Sequence, residues 1–273
     1  MSAPSPTPGT PRVRRVDLRR FPAFRPIAVF LLVFLYLPLL VVVAYAFNSN
    51  PIATIWESFT IDWFGRVVAN DDIRQATSTS MRIAVVATLT SVVLAAGAAV
   101  GLVNMRRAGR RLALLIIGVP LVIPEIVLAV ATLGLFVFLH IPLGLTTVTL
   151  AHIAFCVPFV LLPIRARLAD LDPRVFEAAA DLGASEWRVF CRVTLPLLAP
   201  GIVSGALLAF IISLDNFLVS FFVAGPGTTT LPIYIYGMLR VGVTPEVNAL
   251  STLLLLVSLL VLTASYLAGR KKG

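Results

Sequence analysis

Two acidic residues lie inside long apolar stretches of this sequence. Glu125 occurs in IPEIVLA, and Asp215 occurs in ISLDNF between Ser213 and Asn216. Ionisable side chains within a membrane are costly, and they commonly mark a path for a solute or an ion. Neither stretch contains Lys or Arg, so a carboxylate facing a water-filled path would attract a cation. Alternatively, each carboxylate bonds polar groups where two helices pack.

A second chemically informative segment is hydrophilic and reads LDPRVFEAAADLGASEWRVFCRVTLPLLAPG. Asp172 is a good N-cap, Pro173 suits the first helical position, and Gly183 is a typical C-terminal stop. These signals predict a short helix, Pro173 to Leu182. Ser185 is then expected to cap a second helix that runs through Pro196 into the membrane.

The short helix has the composition of a docking surface. Ala178 to Ala180 leave one face with little bulk, so another protein can approach closely, and Phe176, Leu182 and Trp187 can supply apolar anchors. We therefore interpret this segment as an element that couples the membrane part to a partner.

The elements that must position these residues are membrane helices. Of 273 residues, 59% are hydrophobic and only 13% are charged. A soluble domain would need a larger charged surface, and barrel strands would alternate apolar and polar residues. We predict an all-α protein with six membrane helices, at about 27–47, 79–103, 112–139, 145–164, 198–222 and 246–268.

The basic residues predict the orientation. Of 22 Lys and Arg residues, 18 fall in segments 1–26, 104–111, 165–197 and 269–273, which the positive-inside rule places in the cytoplasm together with both termini. The net charge of +9 therefore reflects topology, and no basic face interleaved with aromatic residues suggests nucleic acid. We expect a basic, disordered tail over 1–26, a membrane domain over 27–268 with the inner loop 165–197, and a short tail over 269–273.

Signals for catalysis or metal binding are absent from the sequence. Cys156 and Cys191 stand alone, as do His140 and His152, for which helix packing or an interfacial place is the favoured interpretation. No GxxxxGK[ST] motif is present, so an ATP site would have to come from another chain.

The hydrophilic segment resembles the EAA signature of ATP-binding-cassette importer permeases. The match consists of Glu177-Ala178-Ala179, Gly183 four residues later, and Val193-x-Leu195-Pro196 after nine more; the family usually has Ile at the position of Val193. The resemblance implies that partner ATPase subunits bind ATP and Mg²⁺, and that this chain needs no cofactor. It implies docking through Phe176, Glu177, Ala178, Ala179, Asp181, Leu182, Gly183, Trp187, Leu195 and Pro196.

The run from SLDNF through FFVAGPGTTTLPIYIYGMLR to NALSTLLL, together with PEIV, is similar to the second permease of spermidine/putrescine importers. This resemblance implies a multi-pass protein of the bacterial cytoplasmic membrane, paired with a second permease and an extracytoplasmic solute-binding protein. It implies a solute path at Glu125 and Asp215, and we include Ser213 and Asn216 in this path because they lie beside Asp215. An outer gate or binding-protein contact is implied at Gly225, Pro226, Gly227, Tyr234 and Tyr236.

We therefore expect a subunit that imports polyamines by alternating access while a separate ATPase hydrolyses ATP. Asn216 stands where that group often has a second acidic residue, which leaves a less cationic solute open. The alternatives are an importer of another organic cation, an opine or an organophosphonate, or an ion-driven secondary transporter. An enzyme is disfavoured, because no suitable constellation of side chains shares a span.

Overall fold

The computed structural model describes residues 24–52, 55–172, 174–181, 183 and 185–270. Apart from one isolated bridge between Asn48 and Phe59, the regular structure in these ranges is helical. The helices are α1 Phe24–Tyr45, α2 Asp62–Ala69, α3 Asp71–Asn104, α4 Arg107–Val122, α5 Glu125–Phe138, α6 Leu145–Ala169, α7 Arg174–Asp181, α8 Glu186–Val189, α9 Leu195–Asp215, α10 Phe217–Val223, α11 Leu231–Val241 and α12 Pro245–Arg270.

Helices α3, α6 and α9 form the centre of the bundle. Ser91 of α3 donates a hydrogen bond to the Ile153 carbonyl of α6 at 3.1 Å, and further along the same two helices Leu102 belongs to one buried cluster with Ile164. Ser91 precedes Leu102 in α3, and their neighbours Ile153 and Ile164 follow in the same order in α6, so the two helices run parallel. Because they start at the same end of the bundle, the segment between them must return across it. We call the end that carries residues 105–110 and α7 the inner end, following the charge prediction, and the opposite end the outer end.

The third predicted span, 112–139, is not one helix. It consists of α4 and α5, whose axes are bent by 111° at a break before Glu125. Pro124, with φ −52° and ψ 132°, is extended and has no N–H to continue the ladder of hydrogen bonds. The halves have 16 and 14 residues. They therefore measure about 24 Å and about 21 Å, and each is shorter than the hydrocarbon layer of roughly 30 Å. The pair together makes the return crossing.

The fifth predicted span, 198–222, is also broken. α9 ends at Asp215, and Asn216 is extended with φ −71° and ψ 99° before α10 begins. The Asn216 side chain stabilises this break, because its Oδ1 accepts a hydrogen bond from the Val219 N–H at 2.9 Å and so caps α10.

Helices α6 and α9 pack antiparallel along a seam of small residues. Gly201, Gly205, Ala209 and Ser213 recur every four residues on one face of α9, and all four are buried. A Cβ atom on Gly205 would lie 2.9 Å from the Val160 carbonyl oxygen, so the two backbones are in direct contact. Such small-xxx-small patterns let membrane helices approach closely.

The remaining predicted boundaries are adjusted by the structure. α3 begins at Asp71 rather than near 79, and the apolar stretch after Thr230 forms helix α11. In the described ranges, four helices are long and apolar enough to cross a membrane, and the α4–α5 pair makes a fifth crossing; α12 lies at the sixth predicted span. Of the predicted tails, 1–23 and 271–273 lie outside the described residues, while 24–26 belong to α1 and 269–270 to α12.

Candidate solute path and coupling loop

The two helix breaks meet inside the bundle. The Asn216 amide donates a hydrogen bond from Nδ2 to Oε1 of Glu125 at 2.7 Å, and it thereby joins the start of α5 to the junction of α9 and α10. Glu125 is half-buried and Asn216 is buried. The structure thus brings together two predicted path residues that are 91 positions apart.

Asp215 lies beside this junction but points elsewhere. It is exposed, whereas Ser213, two residues earlier, is buried on the face of α9 that contacts α6. Two residues correspond to about 200° around a helix, so Asp215 projects from the opposite side. Among the described residues, no Lys or Arg lies within ion-pairing distance of Asp215 or Glu125.

Ser213 is buried where α9 packs against α6. Its hydroxyl is hydrogen bonded to Nδ1 of His152 at 2.8 Å, and Nε2 of the same ring is bonded to Ser220 at 2.9 Å. His152 is 2% exposed, so of the two places expected for it, helix packing and an interface, the structure shows helix packing. Its two partners could not be read from the sequence, although polar residues in apolar helices do indicate interhelical hydrogen bonds.

The predicted capping signals of the inner loop are partly confirmed. Asp172 Oδ1 accepts a hydrogen bond from the Arg174 N–H at 3.0 Å, and Gly183 adopts φ +73°, the left-handed conformation expected of a helix stop. Ser185 occupies the N-cap position of α8, but its side chain makes no capping hydrogen bond. Pro173 and Leu182 lie outside the described residues, as do the side chains of Phe176, Glu177 and Ala178; Ala179 is half-buried and Asp181 exposed.

The second half of the loop joins the membrane helix directly. Helix α8 continues into a π-helical turn, Phe190–Thr194, and then into α9, where Leu195 is half-buried and Pro196 is exposed. Trp187 is 73% exposed and contacts the ring of Phe190, with the ring centroids 5.5 Å apart. A large exposed aromatic side chain on a short structured loop is typical of a contact surface for another protein.

The outer end carries a tight turn at the third group of predicted residues. Gly225 has no room for a side chain, because a Cβ atom there would overlap the Leu143 carbonyl, and Gly227 adopts φ +76°. Pro226, between them, is exposed. The turn is therefore fixed against the loop that precedes α6.

The two predicted tyrosines have different environments. The Tyr234 hydroxyl lies 3.5 Å from Nδ2 of Asn70, so it contacts the N-cap of α3. Tyr236 is 38% exposed, with its ring centroid 4.8 Å from that of Phe217 in α10. Next to the turn, an open cleft of about 630 Å³ is lined by Gln75 and Arg82 among other residues. This polar surface is suited to a soluble partner.

Within the described ranges, no cluster of three His, Cys, Asp or Glu side chains could hold a metal ion. The arrangement consists instead of apolar helices, two helix breaks that carry carboxylates, and a helical loop at the inner end. These features define a helical membrane protein with polar side chains at two helix breaks inside the bundle.

Comparison with known proteins assigns this class to a family. Residues 91–271 match the family described as binding-protein-dependent transport system inner membrane component, and the chain belongs to that family. It is thus a membrane-embedded permease subunit of an ATP-binding-cassette importer, which works with an ATPase and a solute-binding protein. An ion-driven secondary transporter is thereby set aside.

Two relatives and one solved structure illustrate the similarity. The chain is 39% identical over 239 residues to the spermidine/putrescine transport system permease protein PotC of Escherichia coli (strain K12), with 88% of this chain and 90% of the relative covered. It is 41% identical over 229 residues to the putrescine transport system permease protein PotI of the same strain, with 81% and 82% covered. These relatives are transport subunits, not enzymes. The crystal structure of a bacterial ABC transporter involved in alginate import has a chain with the same fold, with a TM-score of 0.68, 17% identity, and 90% of this chain and 93% of that chain covered.

Proposed function

We propose that this permease subunit moves polyamines such as spermidine and putrescine into the cell. Relatives named as spermidine/putrescine and putrescine permeases are 39% and 41% identical to this chain over the aligned 239 and 229 residues. The observation that carries the proposal within the chain itself is the exposed carboxylate of Asp215 beside the Glu125–Asn216 junction.

The energetics of Asp215 favour a water-filled path. An acidic side chain facing lipid at the centre of a membrane helix costs about 2.5–3.5 kcal/mol or more. No basic partner among the described residues offsets this cost. An aqueous path that carries a cationic amine would both hydrate the carboxylate and give it a counter-ion.

Asn216 is compatible with a cationic solute. An aspartate at this position would place a second carboxylate where Nδ2 now lies, 2.7 Å from Oε1 of Glu125. Two carboxylates at that distance do not both stay ionised. The amide instead holds Glu125 by one oxygen and leaves its negative charge uncompensated by any described cation.

The transport cycle that we propose needs partner proteins. ATPase subunits, which bind ATP and Mg²⁺, would dock on loop 165–197 around the exposed Trp187. A second permease subunit would complete the path and cover part of the exposed apolar surface, with membrane lipid covering the rest. The binding protein would release solute at the outer turn, Gly225 to Gly227, and rocking of the helices would then open the path inward.

The test is uptake of labelled putrescine and spermidine by the complex reconstituted in liposomes with its ATPase and binding protein. Asp215→Asn and Glu125→Gln should each raise the KM for the amine at least tenfold, because each removes one negative charge from the path. Glu57→Gln is the matched control, since Glu57 is an exposed carboxylate in the loop after α1.

Competition with unlabelled compounds separates the alternatives. Excess spermidine should block putrescine uptake, and an unrelated amino acid should not. Uptake of a neutral or anionic solute that neither polyamine inhibits would overturn the proposed substrate class and leave the family assignment intact.

A further inference from the structure

The junction of α9 and α10 is spanned by one buried side chain. His152 of α6 binds Ser213, in the last turn of α9, through Nδ1, and it binds Ser220 of α10 through Nε2, at 2.8 and 2.9 Å. The break at Asn216 lies between these two serines. The exposed fractions of the three side chains are 2%, 4% and 0%.

This pair of hydrogen bonds depends on the break. Residues seven positions apart in an uninterrupted helix are separated by about 10.5 Å along its axis. One imidazole with two hydrogen bonds of ordinary length spans roughly 8 Å between the outer oxygens. His152 therefore binds both serines well only when α10 is displaced from the axis of α9, so it stabilises the broken conformation over a straight one.

A second contact fixes the far end of α10 on the same helix. The Thr147 hydroxyl, which is buried, lies 3.0 Å from the Val223 carbonyl and 2.8 Å from the Gly144 carbonyl. Because Thr147 and His152 both belong to α6, α10 is attached to α6 at two points. Asn216, whose amide donates to Glu125, is the N-cap of this attached helix.

We propose that His152 is a positioning residue for transport, one that holds α9 and α10 across the Asn216 break and so keeps Asn216 against Glu125. The part of this inference that concerns solute affinity rests on the proposed function; the part that concerns the break does not. Without the imidazole, the serine hydroxyls can bond carbonyls of their own helices, and α10 then loses one of its two attachments to α6.

The experiment compares three variants in the complete complex. His152→Phe keeps a ring of similar shape and removes both hydrogen bonds, whereas His152→Gln keeps a donor and an acceptor. Ser91→Ala is the control, since Ser91 is 0% exposed and its hydroxyl also bonds α6, at Ile153, but it does not span the break.

Two readouts are measured for each variant. The first is the KM for labelled putrescine at equal amounts of assembled complex. We expect it to rise about tenfold in His152→Phe, to stay within threefold of the parent in His152→Gln, and to be unchanged in Ser91→Ala. The second is hydrogen exchange of the backbone amides of residues 217–223, which should become at least tenfold faster in His152→Phe alone.

A double variant tests the coupling. Ser220→Ala should raise the KM by itself and add nothing in the His152→Phe background, because the hydrogen bond is already lost. Additive effects, or unchanged exchange in residues 217–223, would overturn the proposal. Should His152→Phe fail to assemble, Ser220→Ala and its exchange rates decide the matter in its place.

Failure of the proposed function gives a different pattern. In that case Asp215→Asn leaves the KM for putrescine unchanged, while amide exchange in residues 217–223 still responds to His152→Phe. If Asp215→Asn raises the KM and His152→Phe changes neither readout, the function stands and the role of His152 is wrong.

Discussion

Replacement of Gly205 by alanine should open the seam between α6 and α9. The added Cβ atom would lie 2.9 Å from the Val160 carbonyl oxygen and 3.0 Å from the Val160 Cα, closer than ordinary van der Waals contact. The obstructing atoms belong to the backbone, so a rotamer change cannot relieve the overlap and the helices must separate. Overpacking of this kind costs about 1–3 kcal/mol.

Cys156 provides a direct measure of this separation. Its thiol is 0% exposed in the same seam, 3.6 Å from the Ala209 carbonyl, and the chain has only two cysteines. In a Cys191→Ser background, a maleimide that enters the membrane can therefore label only Cys156. A loss of about 1–3 kcal/mol should increase the labelling rate about 5- to 150-fold, because each step of about 1.4 kcal/mol is a factor of ten in the population of the open state.

The matched control is Gly97→Ala in α3. A Cβ atom at Gly97 meets nothing within 4 Å. Alanine is also the better helix former by about 1 kcal/mol. Labelling of Cys156 should stay the same or slow down in this variant. Equal rates for Gly205→Ala and Gly97→Ala would show that the backbone contact at Gly205 does not hold the seam closed.

Three further variants test the loop, the junction and the outer turn. Gly183→Val forces a β-branched residue to φ +73°. This strain costs about 1–2 kcal/mol and should reduce uptake per ATP hydrolysed while the chain still inserts. Asn216→Asp should lower the melting temperature of the complex, because it replaces the N–H donor to Glu125 with a second carboxylate, and a second change, Glu125→Gln, should restore much of the loss by placing an amide beside the new carboxylate. Gly225→Ala should lower the melting temperature of the complex, whereas Gly237→Ala, with nothing within 4 Å of the new atom, should not.

The elements built from local signals could be predicted from the sequence. Apolar runs long enough to cross a membrane identified the helical class, and the aspartate cap at Asp172 and the stop at Gly183 predicted a short helix between them, where α7 lies. The EAA spacing indicated the family. Each of these signals lies within a few residues of the element that it determines, so it can be recognised in the sequence alone.

Only one of the two helix breaks could be predicted from the sequence. Pro124 predicts an interruption of the helix, because it cannot donate a backbone hydrogen bond. It does not predict the size of the bend, which is 111° between α4 and α5. The break at Asn216 has no proline or glycine beside it, and asparagine as a cap becomes recognisable only once α10 is seen to begin there.

The pairing of polar groups across the bundle was decided by the tertiary structure alone. From the sequence, Glu125, Ser213, Asp215 and Asn216 were predicted to form one group of path residues. In the fold, Glu125 is hydrogen bonded to Asn216, Ser213 is hydrogen bonded to His152, and Asp215 is exposed. Which face of a helix meets another depends on crossing angles and on close approach at small residues such as Gly205, and neither is encoded within a few residues of the side chains concerned. The sequence by itself therefore determined the family of transporter to which this protein belongs, and the packing of α6 against α9 and α10 determined how its polar residues are arranged.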